Sequence, residues 1–127
     1  MFKEFIKDWV WQLPQNLIGV LYKYLIKDRI VDMIPVTKEG NQLIFKETKG
    51  SVSLGKYIFV YRNVKNISYI VNHETGHTKQ SLMLGPLYLI VIGIPSFLWA
   101  LLHKKICPNV DYYKFYTEAW ANKLMRI

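Results

Sequence analysis

The stretch Val71-Asn72-His73-Glu74-Thr75-Gly76-His77-Thr78 decides how the rest of the chain is read. It holds two histidines four positions apart, with a glutamate directly after the first. On a helix, positions i and i+4 lie about one turn apart on the same face, so the two imidazoles can converge on one point. A zinc ion held there needs ring nitrogens at about 2.0–2.1 Å. Glu74 lies beside that point rather than on it. Its carboxylate can take a proton from a water whose pKa zinc lowers to about 7, and can pass that proton to a leaving amine. His73 and His77 are therefore candidate zinc ligands, and Glu74 is the candidate general base of peptide-bond hydrolysis.

The surroundings supply the helix. Asn63 or Asn66 can cap it, and Ile67, Ile70 and Val71 share an inward face with the histidines, which predicts a helix over residues 65–84. Upstream, Val31, Met33, Ile34 and Val36 lead to the turn signal Lys38-Glu39-Gly40-Asn41. Gln42–Lys46 follows, then Val52-Ser53-Leu54, then Tyr57–Tyr61 after Gly55, each rich in strand formers. This pattern predicts an α+β fold with a small antiparallel sheet of about three strands, joined by hairpins. At 127 residues the chain has room for one domain, 1–127.

A zinc hydrolase usually takes three protein ligands and leaves one position open. Downstream candidates for the third are His103, Asp111 and Glu118. Asp111 can cap a last helix running from residue 112 to about 125. Glu118 lies on that helix, and Asn122, at i+4, shares its face and can hydrogen-bond a ligand histidine. Small Ala119 and Ala121 would let the two helices approach closely. Glu118 is the preferred third ligand, while His103, beside Lys104-Lys105, is expected to face solvent or a headgroup. Tyr112, Tyr113 and Tyr116 are candidate oxyanion donors, with aromatic packing as their simpler role. Cys107, the sole cysteine, is read as a packed thiol.

At His73, Glu74, His77 and Glu118 the sequence resembles the zincin metallopeptidases, specifically minimal gluzincins. In that family a helix carries HExxH and a later helix supplies a glutamate ligand, with an acidic residue four positions on. The departure is Asn122, where the family has Asp; it can orient a histidine but adds no negative charge. The resemblance covers residues 57–84 and 111–126. It implies that the strand Tyr57–Tyr61 offers an edge to which substrate backbone adds. Residues 73–88 also look like uncharacterised bacterial membrane proteins with an HExGH-then-apolar layout.

The remaining sequence points to lipid. Hydrophobic residues make up 51% of the chain and aromatics 15%, more apolar surface than a small interior can hide. Net charge is +8, concentrated on both sides of a neutral centre, which suits anionic headgroups. No nucleic-acid recognition motif accompanies that charge, so no nucleic-acid partner is expected. In residues 2–26, Phe2, Phe5, Ile6, Trp9, Val10, Leu13 and Leu17 recur at helical spacing, with Lys3, Glu4, Lys7 and Asp8 on another face. This reads as an interfacial or core helix that Pro14 kinks or restarts, with Trp9 and Trp11 as interfacial anchors. The opening residues mix charge into the apolar run and show no small-residue cleavage pattern, so a removable signal peptide is not expected.

Residues 82–102 are almost uncharged and long enough to span a bilayer. A single crossing would put the histidines and Glu118 about 30 Å apart on opposite sides, where one ion cannot bind both. Gly85-Pro86 and Gly93-Ile94-Pro95 favour instead an apolar helical hairpin bent at the second site. The expectation is a zinc peptidase at the cell membrane, monotopic or hairpin-inserted, acting on peptides or membrane-protein tails. The alternative is a non-catalytic membrane-associated protein with a structural metal site or an anionic-lipid-binding role.

Overall fold

The residues Tyr57-Ile58-Phe59-Val60-Tyr61 alternate between two sheet faces, and both faces are covered. Ile58 and Val60 join Leu43 against Val64, Ile70 and Val71, while Tyr57 and Phe59 join Ile44 against Tyr22, Ile26 and Ile30. A strand buried on both sides carries apolar residues almost continuously, as this one does.

The computed structural model describes residues 3, 6–35, 37 and 40–127. Expectations resting on Phe2, Glu4, Phe5, Val36, Lys38 and Glu39, or on the side chains of Lys7 and Asp8, lie outside the described residues. In chain order the main elements are α1 (Leu13–Leu25), β1 (Ile30–Ile34), β2 (Gln42–Lys46), β3 (Val52–Leu54) and β4 (Tyr57–Tyr61), followed by α2 (Ile67–Leu84), α3 (Ile94–Ile106) and α4 (Tyr116–Met125). The fold is α+β.

Its sheet is mixed rather than wholly antiparallel. The strand order is β1-β2-β4-β3: β1 with β2 and β3 with β4 are antiparallel, but β2 and β4 are parallel. The reason lies in the link between β2 and β3. Residues 47–51 give β3 enough slack to run outside, so the more apolar β4 takes the central place. Buried Lys46 shapes that link: its Nζ donates to Thr48 O (2.7 Å), Thr48 Oγ1 (3.1 Å) and Lys49 O (3.0 Å). One expectation from the zincin resemblance is thereby corrected. β4 is paired on both sides and has no free edge; the edge strands are β1 and β3.

Asn66 caps α2, its side chain accepting from the Tyr69 N–H at 3.4 Å. Gly85, with φ +56°, ends it as expected of Gly85-Pro86. The second expected break does not occur. A π turn, Leu89–Gly93, runs directly into α3, and Gly93 itself is helical. Pro95 has no N–H for the carbonyl four residues back, Val91, and the Tyr116 hydroxyl donates to that carbonyl instead (2.7 Å). Leu89–Ile106 is thus one rod, not a hairpin bent at Gly93. It is apolar and long enough to cross a membrane, with mean hydropathy 1.5 and 6% of the stretch buried.

The reversal comes after this rod, and residues 107–115 then return along it. Trp99 Nε1 donates to Tyr112 O (2.8 Å), and the Trp99 and Phe115 rings stack at 4.6 Å. Asp111 caps a short turn, Tyr112–Lys114, by accepting from the Tyr113 N–H (3.0 Å). Extended Phe115 (φ −61°, ψ 142°) separates that turn from α4, so the last helix starts at Tyr116, later than expected.

α2 and α4 pack closely, through Gly76 rather than through both alanines. A Cβ at Gly76 would land on the Ala121 carbonyl, and Ala121 is fully buried, whereas Ala119 is exposed. Gly76→Ala must separate two backbones, and such overpacking costs about 1–3 kcal/mol. A lowered urea midpoint is the expected result; an unchanged midpoint would show that the contact yields.

α1 restarts at Pro14 and then presents its polar side inward. Gln15 and Asn16 are 0% exposed, while Leu21 and Leu25 are 57% and 68% exposed. Gln15 Nε2 donates to Ser81 Oγ (2.8 Å) and Gly85 O (2.9 Å), Ser81 Oγ donates to Gln12 Oε1 (2.5 Å), and the Lys56 N–H donates to Asn16 Oδ1 (2.8 Å). Trp11 Nε1 donates to Leu82 O (2.6 Å), and its ring lies over Gly85.

Candidate metal centre

His73, Glu74 and His77 all lie on the buried face of α2. The close approach at Gly76 brings Glu118 of α4 to the same place. Glu118 Oε1 is 3.0 Å from His73 Nε2 and 3.1 Å from His77 Nε2. These buried residues could hold a metal ion: one ligand atom from each lies within 4.8 Å of the others. Ligands about 2.0–2.2 Å from a common ion at tetrahedral angles sit roughly 3.3–3.5 Å apart, so a small adjustment admits the ion.

The histidine tautomers follow from the amides behind them. Asn122 Nδ2 donates to Tyr69 OH (2.8 Å), which turns its Oδ1 toward His73 Nδ1 (2.6 Å). Gln80 Nε2 donates to Thr117 O (3.0 Å), which turns its Oε1 toward His77 Nδ1 (2.7 Å). Each Nδ1–H therefore donates to an amide oxygen, and each Nε2 lone pair faces Glu118. In these neutral tautomers three electron-rich atoms face one another, and either a proton, as on His77 in the metal-free chain, or a metal ion can bridge them. The Tyr69 hydroxyl thus fixes the orientation of the Asn122 amide.

Glu118 is held from behind as well. Thr117 Oγ1 (2.6 Å) and Ser96 Oγ (2.7 Å) both donate to its Oε2. Burial opposes its charged form, but bonds from His73 and His77 outweigh burial and hold the carboxyl far below the usual range. Burial also opposes a charge on His77. The hydrogen bond that His77 donates to Glu118 and the charges of Glu74 and Glu118 prevail, pushing that imidazole up to about 9 in the metal-free chain. Glu74 moves upward, chiefly through burial, with His77 and His73 pulling the other way.

The centre lies in the wall of a cleft of about 780 Å³. Glu74 lines it together with both histidines and Glu118. Of the expected tyrosines, Tyr112 and Tyr113 line the cleft, and the Tyr113 ring sits 5.0 Å from His73; Tyr116 is committed to Val91. The other proposed third ligands lie elsewhere: Asp111 caps Tyr113, and His103 packs on Trp99 and bonds the Val110 carbonyl. Sequence reasoning missed Gln80, Ser96, Thr117 and Tyr88. Only Gln80 had a local signal, its i+3 spacing from His77. Tyr88 is buried, lines the cleft, and is pushed up chiefly by burial, with Glu74 and Glu118 adding to it.

No protein-family model matches the chain, and no curated protein or solved structure matches it.

Proposed function

We propose that this protein is a zinc-dependent peptidase working at a membrane surface. The convergence of two Nε2 atoms and one carboxylate oxygen beside Glu74, in the wall of a cleft, carries this reading. Two nitrogens and one oxygen match the ligand count of zinc hydrolases, which leave a fourth position for water or substrate. The likeness of these residues to the gluzincin pattern favours the same assignment.

Zinc, when bound, supplies a Lewis acid and makes water a nucleophile at neutral pH. The chain's own groups do the rest. Glu74 accepts a proton from the water as its oxygen bonds the scissile carbonyl carbon. It returns that proton to the amide nitrogen as the C–N bond breaks, leaving a carboxylic acid and an amine, which at neutral pH become a carboxylate and an ammonium group. Burial keeps the Tyr88 hydroxyl protonated, so it is a hydrogen-bond donor in the cleft wall, and Tyr112 and Tyr113 stand in the same wall. The edge available for substrate backbone is that of β3, which lines the cleft.

The membrane setting is supported by the outward apolar sides of α1 and of Leu89–Ile106. The Ser96–Glu118 and Val91–Tyr116 bonds lay the returning chain along the rod, which favours a monotopic arrangement over a single crossing.

The test is metal content together with hydrolysis of a quenched fluorogenic peptide library. One equivalent of zinc, cleavage lost to chelator and restored by zinc, and loss of both in His77→Ala are expected. Bound zinc with no cleavage of any peptide, in detergent or in vesicles, would leave the metal structural.

A pH dependence follows. In the metal-free chain the His77 proton contributes stability fully below the ordinary imidazole pKa of 6.5, and that contribution fades as pH rises toward about 9. An ion must displace this proton. Its apparent affinity should rise about tenfold per pH unit up to about 9 and flatten above, in competition with a chromophoric chelator. A flat profile below that point would mean that His77 releases no proton on binding.

A further inference from the structure

We infer that the cleft opens sideways into the lipid and takes an apolar, extended segment of a membrane-embedded polypeptide rather than a soluble peptide. This deepens the peptidase reading and rests on it.

The first observation is the mouth of the cleft. Ile18 and Tyr22 of α1 and Leu89, Ile94 and Phe97 of the apolar rod all line it. Ile18, Ile94 and Phe97 line the cleft yet are themselves exposed, Phe97 by 63%. The rim is therefore continuous with the outward apolar faces of both helices. A segment reaching the metal centre past this rim meets the apolar side chains of Ile18, Leu89, Ile94 and Phe97, which suit an apolar occupant.

The polarity of α1 is the second observation. A helix whose glutamines and asparagine are buried while its leucines face out has the reverse of the arrangement that water favours. With α1 and the rod both in lipid, the mouth between them opens within the apolar layer. The basic residues Lys27 and Arg29 beyond the end of α1, and Lys104 and Lys105 at the end of α3, suit anionic headgroups at the border of that layer.

Inside the cleft, the fittings suit an extended backbone. Edge strand β3 lines one wall, and no strand lies beyond it among the described residues. Its Ser53 is 6% exposed, and the hydroxyl is buried without a hydrogen-bond partner. A buried hydroxyl without a partner is costly unless a ligand satisfies it, and a peptide added to β3 brings N–H and C=O groups to this wall.

The experiment places the full-length, zinc-loaded protein in phosphatidylcholine–phosphatidylglycerol vesicles. Two quenched fluorogenic substrates share one apolar scissile stretch: one is joined to a polyleucine transmembrane helix in the same vesicles, and the other is soluble. Cleavage of the anchored substrate should exceed that of the soluble one by at least about tenfold at matched average concentration. Phe97→Lys and Ile94→Lys should remove that advantage while keeping zinc content. Equal rates on the two substrates, or an advantage unmoved by these substitutions, overturn the inference and leave the peptidase reading standing. A binding readout separates the opposite case. Benzoylphenylalanine in place of Phe97, in the Glu74→Gln background, should cross-link the anchored peptide on illumination. Cross-linking with no hydrolysis by the parent protein sinks the peptidase reading but keeps the lipid-facing mouth, while absence of cross-linking counts against the mouth itself.

Discussion

Replacing Glu118 with Ala is expected to abolish stoichiometric zinc binding and all hydrolysis together. Glu118 Oε1 is the point on which both ring nitrogens converge, at 3.0 and 3.1 Å. Loss of a group that merely supports a ligand costs about 10–100-fold in metal affinity, and loss of the carboxylate itself should exceed that range. The variant also strands groups that now have a partner. Ser96 and Thr117 lose their acceptor, and each buried polar group left unpaired costs about 1–3 kcal/mol. A failure to bind zinc could therefore reflect a loosened fold, and Glu118→Gln separates the two. Its carboxamide oxygen can still accept from Ser96 or Thr117, so the thermal transition should survive while zinc is lost. Elemental analysis and a melting curve on the same samples decide the matter. Full zinc content in the Gln variant would move the third ligand elsewhere.

The second large effect is expected at Glu74. It lines the cleft next to the first histidine but stands outside the three converging ligand atoms, so Glu74→Gln should keep zinc. Hydrolysis should fall by about 10²–10⁴, the usual contribution of a positioned general base. Zinc lost together with activity would make Glu74 a ligand. Zinc retained with undiminished turnover would remove it from the chemistry.

The paired histidines were legible because their geometry is local: a spacing of four on one helix face needs no tertiary knowledge. Glu118, 41 residues beyond His77, became readable only through likeness to a known pattern. Asn122 followed from it by the same i+4 arithmetic. What stayed hidden depends on packing between elements. Nothing near Ser96 or Thr117 announces that their hydroxyls meet one carboxylate oxygen. Gly93-Ile94-Pro95 carried a break signal, but a hydroxyl from Tyr116 satisfies the carbonyl that Pro95 frees, and the helix continues. Strand formers and turns located the segments of the sheet but suggested about three strands where there are four, and the order that places β4 beside β2 is a competition for the buried centre that turn residues do not reveal. In α1 the apolar spacing identified a helix correctly, but periodicity alone does not say which side faces inward.

The buried amides of α1 also fix an order of assembly. The partners of Gln15, and of Trp11 just before α1, lie near Ser81 and Gly85, 66 to 71 residues further along the chain, so they leave the ribosome long after α1 does. Until then Gln15 and Trp11 have nothing of the finished fold to grip, and contacts this distant in sequence form slowly. Docking of the first helix is thus a closing event, completed only when the end of the histidine-bearing helix has been made.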